Sequence, residues 1–122
     1  MLRFRFRVGL AAFAVAATLA GAGCGSSSPS APTVSADVTI TMVGDRGNQS
    51  YTPNPTTMRV GQTVAWKNGD STAHTATQDA SRFNSGTISG GATSAPMTMS
   101  AAGTFTYHCT IHPGMVGSLV VQ

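Results

Sequence analysis

The chain has 122 residues, enough for one small domain, and a formal net charge of +3 that Arg3, Arg5 and Arg7 carry. From Cys24 onward four cations (Arg46, Arg59, Lys67, Arg82) balance four aspartates (Asp37, Asp45, Asp70, Asp79), and the chain has no glutamate. This leaves no basic stripe for nucleic acid or an anionic surface, and the scattered aspartates argue against paired-carboxylate catalysis.

Residues 1–23 read as an export signal: three arginines, an apolar run from Val8 to about Ala22, then small residues. The run is roughly 15 residues, short of the ~20 a membrane-spanning helix needs. Cys24 follows Gly21-Ala22-Gly23, and this junction resembles a bacterial lipoprotein precursor, in which such a cysteine is acylated. The usual box carries Leu three residues before the cysteine, and Gly21 stands there instead. The Ser/Pro-rich stretch that follows, within residues 24–36, reads as a polar tether. The expected products are an exported, extracytoplasmic domain over 37–122 and a lipid anchor at Cys24, with plain secretion as the alternative.

From Val34 onward the pattern is strand-like. Val38–Met42 alternates β-branched and apolar residues. Met58–Val60 and Thr63–Trp66 flank a turn at Gly61-Gln62. Asn68-Gly69-Asp70 is a turn cluster, and His74–Thr77 is a further β-prone run. Pro96–Ser100 alternates, with Met97 and Met99 on one face as core. Thr104–Cys109 alternates strictly, and Val116–Val121 closes the chain. No segment holds helical periodicity. The expected fold is all-β, a Greek-key sandwich of seven to eight strands with Trp66, Phe83, Phe105 and Tyr107 in its core.

The chemistry lies in Cys109-Thr110-Ile111-His112-Pro113-Gly114-Met115, where two residues separate thiol from imidazole and imidazole from thioether. Thiolate and thioether are soft donors that favour copper, and imidazole suits copper too; a His₂Cys set with a weak axial Met is a blue copper arrangement. It needs a second histidine, from His74 or His108. Along Thr104–Cys109, period-two alternation turns Phe105, Tyr107 and Cys109 inward and His108 outward. His108 is then a solvent-side strand residue, and His74 is the candidate, delivered from another strand. Cys109 stands alone in the domain, and metal coordination would protect such a thiol from oxidation outside the cytosol.

Gly103 to Met115 (GTFTYHCTIHPGM) resembles the metal loop and lead-in strand of the cupredoxins, most closely the amicyanin, pseudoazurin and plastocyanin group. Trp66-Lys67-Asn68 before His74, Tyr51 to Pro55, Val60 to Val64 and Phe83 to Gly86 are also family-like, so the resemblance covers roughly residues 37–122. It implies one type 1 copper ion held by Cys109, His74 and His112, with Met115 as the weak axial ligand. It further implies single-electron transfer rather than substrate turnover. His112 would be the electron port, within a small apolar rim of Ile111, Pro113 and Gly114 that meets redox partner proteins; a monomer is expected. Many members carry Pro before the first histidine and Asn after it, the Asn tying the two ligand loops. Here Ala73 and Thr75 stand there, leaving that tie to Thr75, and Ile111 replaces a common Pro. A copper carrier or buffer, a Cys/His zinc site and a Cys/His hydrolase remain as alternatives; the last lacks an evident orienting group.

Overall fold

A computed structural model describes residues 35–122; the expected export signal over 1–23 and Cys24 lie outside the described residues. Strand β1 (Val38–Met42) alternates as its sequence suggests, burying Ile40 and Met42 completely. Beside it runs β4 (Thr63–Asn68), parallel, with Val38 opposite Val64 and Met42 opposite Asn68. The pair is fastened at its start by Asp37, whose Oδ2 accepts the Thr63 N–H at 2.8 Å. The short strands β2 (Tyr51–Thr52) and β6 (Met97–Thr98) complete a four-stranded sheet in the order β2-β1-β4-β6.

The second sheet has the order β3-β8-β7-β5, built from β3 (Thr56–Met58), β5 (Thr77–Gln78), β7 (Gly103–His108) and β8 (Val116–Val121). Its spine is the antiparallel pair β7–β8, in register from Gly103 opposite Val121 to His108 opposite Val116. Eight strands in two mixed sheets, with one short 3₁₀ turn at Gly47–Gln49, make the domain all-β. The inner faces enclose a connected core. Within it Trp66 packs on Phe83 with ring centroids 5.3 Å apart and meets Tyr107 edge-on at 5.6 Å, while Tyr51 meets Tyr107 edge-on at 4.8 Å.

Three expectations shift. Strand β3 ends at Met58, and Val60 lies in the turn, 47 % exposed, because pairing with β8 rather than local β-propensity decides where it runs. Strand β4 extends to Asn68, read from sequence as a turn residue. Asn68 is fully buried, and its side-chain Nδ2–H donates to the carbonyls of Thr72 and Ile88. His74 does not lie on a regular strand. It forms an isolated bridge with Ile88, each N–H bonding the other's carbonyl, and the regular strand begins at Thr77.

Tyr107 lies directly over Gly117, its cross-strand partner. A Cβ at position 117 would sit 2.5 Å from the Tyr107 hydroxyl oxygen, and the Tyr107 ring is fully buried among the core aromatics. Gly117→Ala is therefore expected to destabilise the domain by about 1–3 kcal/mol through overpacking. Chemical denaturation checks this; an unchanged midpoint would mean that the ring relocates freely.

Candidate metal centre

The strict alternation of β7 carries one residue past the strand. Phe105, Tyr107 and Cys109 are all buried, and Thr104 and Thr106 are exposed. The Cys109 N–H then bonds the carbonyl of Met115 at 3.1 Å, and the Met115 N–H bonds that of His112 at 2.9 Å. These two bonds close residues 109–115 into a tight loop across the end of the β7–β8 pair. The loop leaves Cys109 and Met115 fully buried in the core and His112 partly exposed between exposed Ile111, Pro113 and Gly114.

The bridge to Ile88 brings His74, 1 % exposed, beneath this loop. Its Nδ1 lies 3.1 Å from His112 Nδ1 and 3.8 Å from Cys109 Sγ, and His112 Nδ1 lies 4.0 Å from the same sulfur. One thiol sulfur and two ring nitrogens thus fall within 4.8 Å of one another. A point in their plane equidistant from all three would be about 2.1 Å from each, against the ~2.0–2.1 Å and ~2.3 Å typical of zinc–nitrogen and zinc–sulfur bonds. The donor set fits a cation of that size.

Thr75, the next residue, ties the two segments together. Its backbone N–H donates to Cys109 Sγ at 3.2 Å, and its hydroxyl oxygen accepts the Thr110 N–H at 2.9 Å. The tie expected of Thr75 thus runs through both its backbone and its hydroxyl. From behind, the Tyr51 hydroxyl donates to the Thr75 carbonyl at 2.6 Å, anchoring the tie in the aromatic core.

The electrostatics suit a cation. Burial is the largest influence on Cys109 and pushes its thiol up, but the N–H of Thr75, the N–H of His112, the His74 ring and the N–H of Ile111 together pull it down to about 6. The thiolate is thus favoured at neutral pH. Burial likewise opposes charge on His74, yet hydrogen bonds to Asp70 and Cys109 outweigh it and hold the imidazole above its ordinary value. The hydrogen bond from His74, with that from the Ser71 N–H, keeps the Asp70 carboxyl below the usual range.

Of the residues nominated from sequence, His74, Cys109 and His112 converge, and Met115 is buried in the same core cluster as Cys109. His108 points away from the three, as strand alternation requires; its Nδ1 pairs with Asp79 Oδ1 at 2.7 Å on the outer side. Asp70 escaped the sequence reading as a site residue. Its Oδ2 lies 2.8 Å from His74 Nε2, and the only trace in the chain is a carboxylate four residues before the histidine, inside what looks like an ordinary turn.

Residues 38–122 match the family model described as copper binding proteins, plastocyanin/azurin family. The amicyanin of Paracoccus denitrificans is 34 % identical over 90 residues, covering 66 % of this chain and 65 % of that protein, so the chain spans just under two thirds of that relative's length. Among solved structures, a purple cupredoxin from Nitrosopumilus maritimus matches with a TM-score of 0.63 at 28 % identity, over 70 % of this chain and all of that one. A copper-containing nitrite reductase from Thermus scotoductus SA-01 matches at 26 % identity and a TM-score of 0.61, over 70 % of this chain but 22 % of the enzyme. The matched span takes in every strand of both sheets and the whole His74–Cys109–His112 cluster, and the chain belongs to the copper-binding plastocyanin/azurin family, the cupredoxins.

Proposed function

We propose that this domain is a single-electron carrier with one type 1 copper ion, which Cys109, His74 and His112 would hold with Met115 as a weak fourth donor. The observation that carries the reading is the convergence of one thiolate and two imidazole nitrogens beneath a loop that ends in a buried methionine. Copper would supply a one-electron Cu(I)/Cu(II) couple there. The protein supplies soft and borderline donors that suit both oxidation states, so little rearrangement accompanies electron transfer. Thr75 and Tyr51 hold the loop against the core, which resists movement of Cys109 when the charge on the centre changes.

His112 would be the port. It is the one partly exposed member of the cluster, and Ile111 beside it is 46 % exposed. An apolar rim around a polar ring edge suits the small, transient contacts of redox partners, below about 1,200 Å². Burial of His74, Cys109 and Met115 favours retention of the ion over hand-off, which weighs against a copper carrier. The thioether, for which zinc has little use, and the copper-binding family weigh against a zinc module. Among the described residues the carboxylate beside the cluster, Asp70, is engaged by His74 and the Ser71 N–H rather than held ready as a base, so turnover forms no part of the reading. Among the described residues no helix is long and apolar enough to cross a membrane. We place the domain outside the cytosol, exported by residues 1–23 and tethered through 24–36 with acylation at Cys24. Mass spectrometry of the mature N-terminus checks this; an unmodified, free Cys24 would contradict the anchor.

Two sets of substitutions test the ligands. Cys109→Ser is expected to abolish the visible thiolate-to-copper band, while His108→Ala leaves it intact. A band surviving the first change, or lost with the second, refutes the assignment. Met115→Leu is expected to keep the band and raise the reduction potential measured by protein-film voltammetry, because a lost thioether donor leaves Cu(II) less stabilised. A potential identical to that of the unaltered protein would remove Met115 from the ligand set.

A further inference from the structure

The buried histidine of the cluster is backed by a carboxylate, and the loop that carries this carboxylate is built to hold it in place. Asp70 Oδ2 takes His74 Nε2 at 2.8 Å, and its Oδ1 accepts the N–H of Ser71 at 2.7 Å, so both oxygens are engaged. The Asp70 N–H donates to the side-chain Oδ1 of Asn68 at 2.9 Å. Asn68 is itself fully buried and bonded through Nδ2 to the carbonyls of Thr72 and Ile88, the latter being the residue that bridges His74. Two glycines make the room. A Cβ on Gly44 would come within 3.3 Å of Asp70 Oδ2, and one on Gly90 would meet the Asp70 carbonyl oxygen at 2.8 Å.

We propose that Asp70 is a positioning residue for His74, which fixes the imidazole as its Nε2–H tautomer with the Nδ1 lone pair turned into the cluster and biases the centre toward the more highly charged Cu(II). This inference rests on the copper reading above. A neutral imidazole has one N–H, and the hydrogen bond made by one ring nitrogen decides what the other can do. In the neutral ring, with Nε2–H given to the carboxylate, the Nδ1 lone pair faces His112 Nδ1 at 3.1 Å and Cys109 Sγ at 3.8 Å, where an ion would take it. A carboxylate behind a ligating histidine raises the basicity of the ligand, and such partners typically contribute 10–100-fold to metal affinity. More basic nitrogen favours the ion of higher charge. The arrangement also separates the two histidines: His74 is buried and backed by an anion, whereas no carboxylate contact is found for His112 among the described residues.

The test uses the full mature chain with Asp70→Asn, close to isosteric, and Asp70→Ala. The same charge change at Asp79→Asn, the partner of the non-ligand His108, serves as control. Both Asp70 variants are expected to bind Cu(II) at least tenfold more weakly while Cu(I) affinity changes little. Their potentials should then rise by about 59 mV per tenfold difference, with Asp79→Asn shifting far less. In the metal-free protein, at an alkaline pH where the His74 ring is neutral, ¹⁵N NMR should show His74 as the Nε2–H tautomer with a slowly exchanging ring proton in the unaltered chain, and rapid exchange or a mixed tautomer in Asp70→Ala. Unchanged potential and tautomer in Asp70→Ala, or an equal shift in Asp79→Asn, would overturn the proposal. If the unaltered protein bound no copper, the copper reading would fall, and the NMR measurement would still decide the positioning role by itself.

Discussion

Two hydrogen bonds from one residue hold the metal end of this sandwich together. Thr75 gives its N–H to Cys109 Sγ and takes the N–H of Thr110 on its hydroxyl, joining residues 34 and 35 positions apart in the chain. The pairing of Thr77 with His108 in β5–β7 brings the two segments side by side, and the two Thr75 bonds fix the donor atoms within that frame. A hydrogen bond to a charged group is worth about 1.5–3 kcal/mol and shortens the conformational freedom of both partners. Thr75 thus uses both its backbone N–H and its hydroxyl, one on each of two successive residues of the loop.

The sandwich beneath exists to keep that frame rigid. Tyr51 reaches from the first sheet to the Thr75 carbonyl, and its ring meets Tyr107 of the second sheet, which in turn meets Trp66. The thiolate is therefore linked, through Thr75 and the Tyr51 hydroxyl, to a run of edge-on aromatic contacts that spans both sheets. Close packing of this kind resists displacement, since interiors have few voids into which a side chain can move. A centre that changes charge by one unit needs such support if its ligands are not to rearrange with each cycle.

What could be read from the chain follows from which residues face one way. Thr104–Cys109 alternates because one face of β7 packs in the core and the other meets water, so the inward turn of Cys109 and the outward turn of His108 were legible from period two alone. The composition of the 109–115 loop identified its chemistry without any fold. The short strands were less legible. Strand β3 is defined by partners 63 positions away in β8, and an apolar β-branched residue such as Val60 sits exposed in the neighbouring turn. Asp70 was illegible as a site residue for a related reason. Asn-Gly-Asp reads as a turn wherever it occurs, and only the burial of Asn68 and the fold-back of the loop onto Ile88 aim the carboxylate at His74.

The central claim is that this one cluster holds one copper ion through the Cys109 thiolate. It is met most directly by titrating the metal-free protein with Cu(II) while recording visible absorption and electron paramagnetic resonance. The account predicts an intense sulfur-to-copper band that grows to saturation at one ion per chain, together with the narrow copper hyperfine splitting of a thiolate-bound centre. A colourless protein after a full equivalent, or a signal of copper bound only by nitrogen and oxygen, would contradict it.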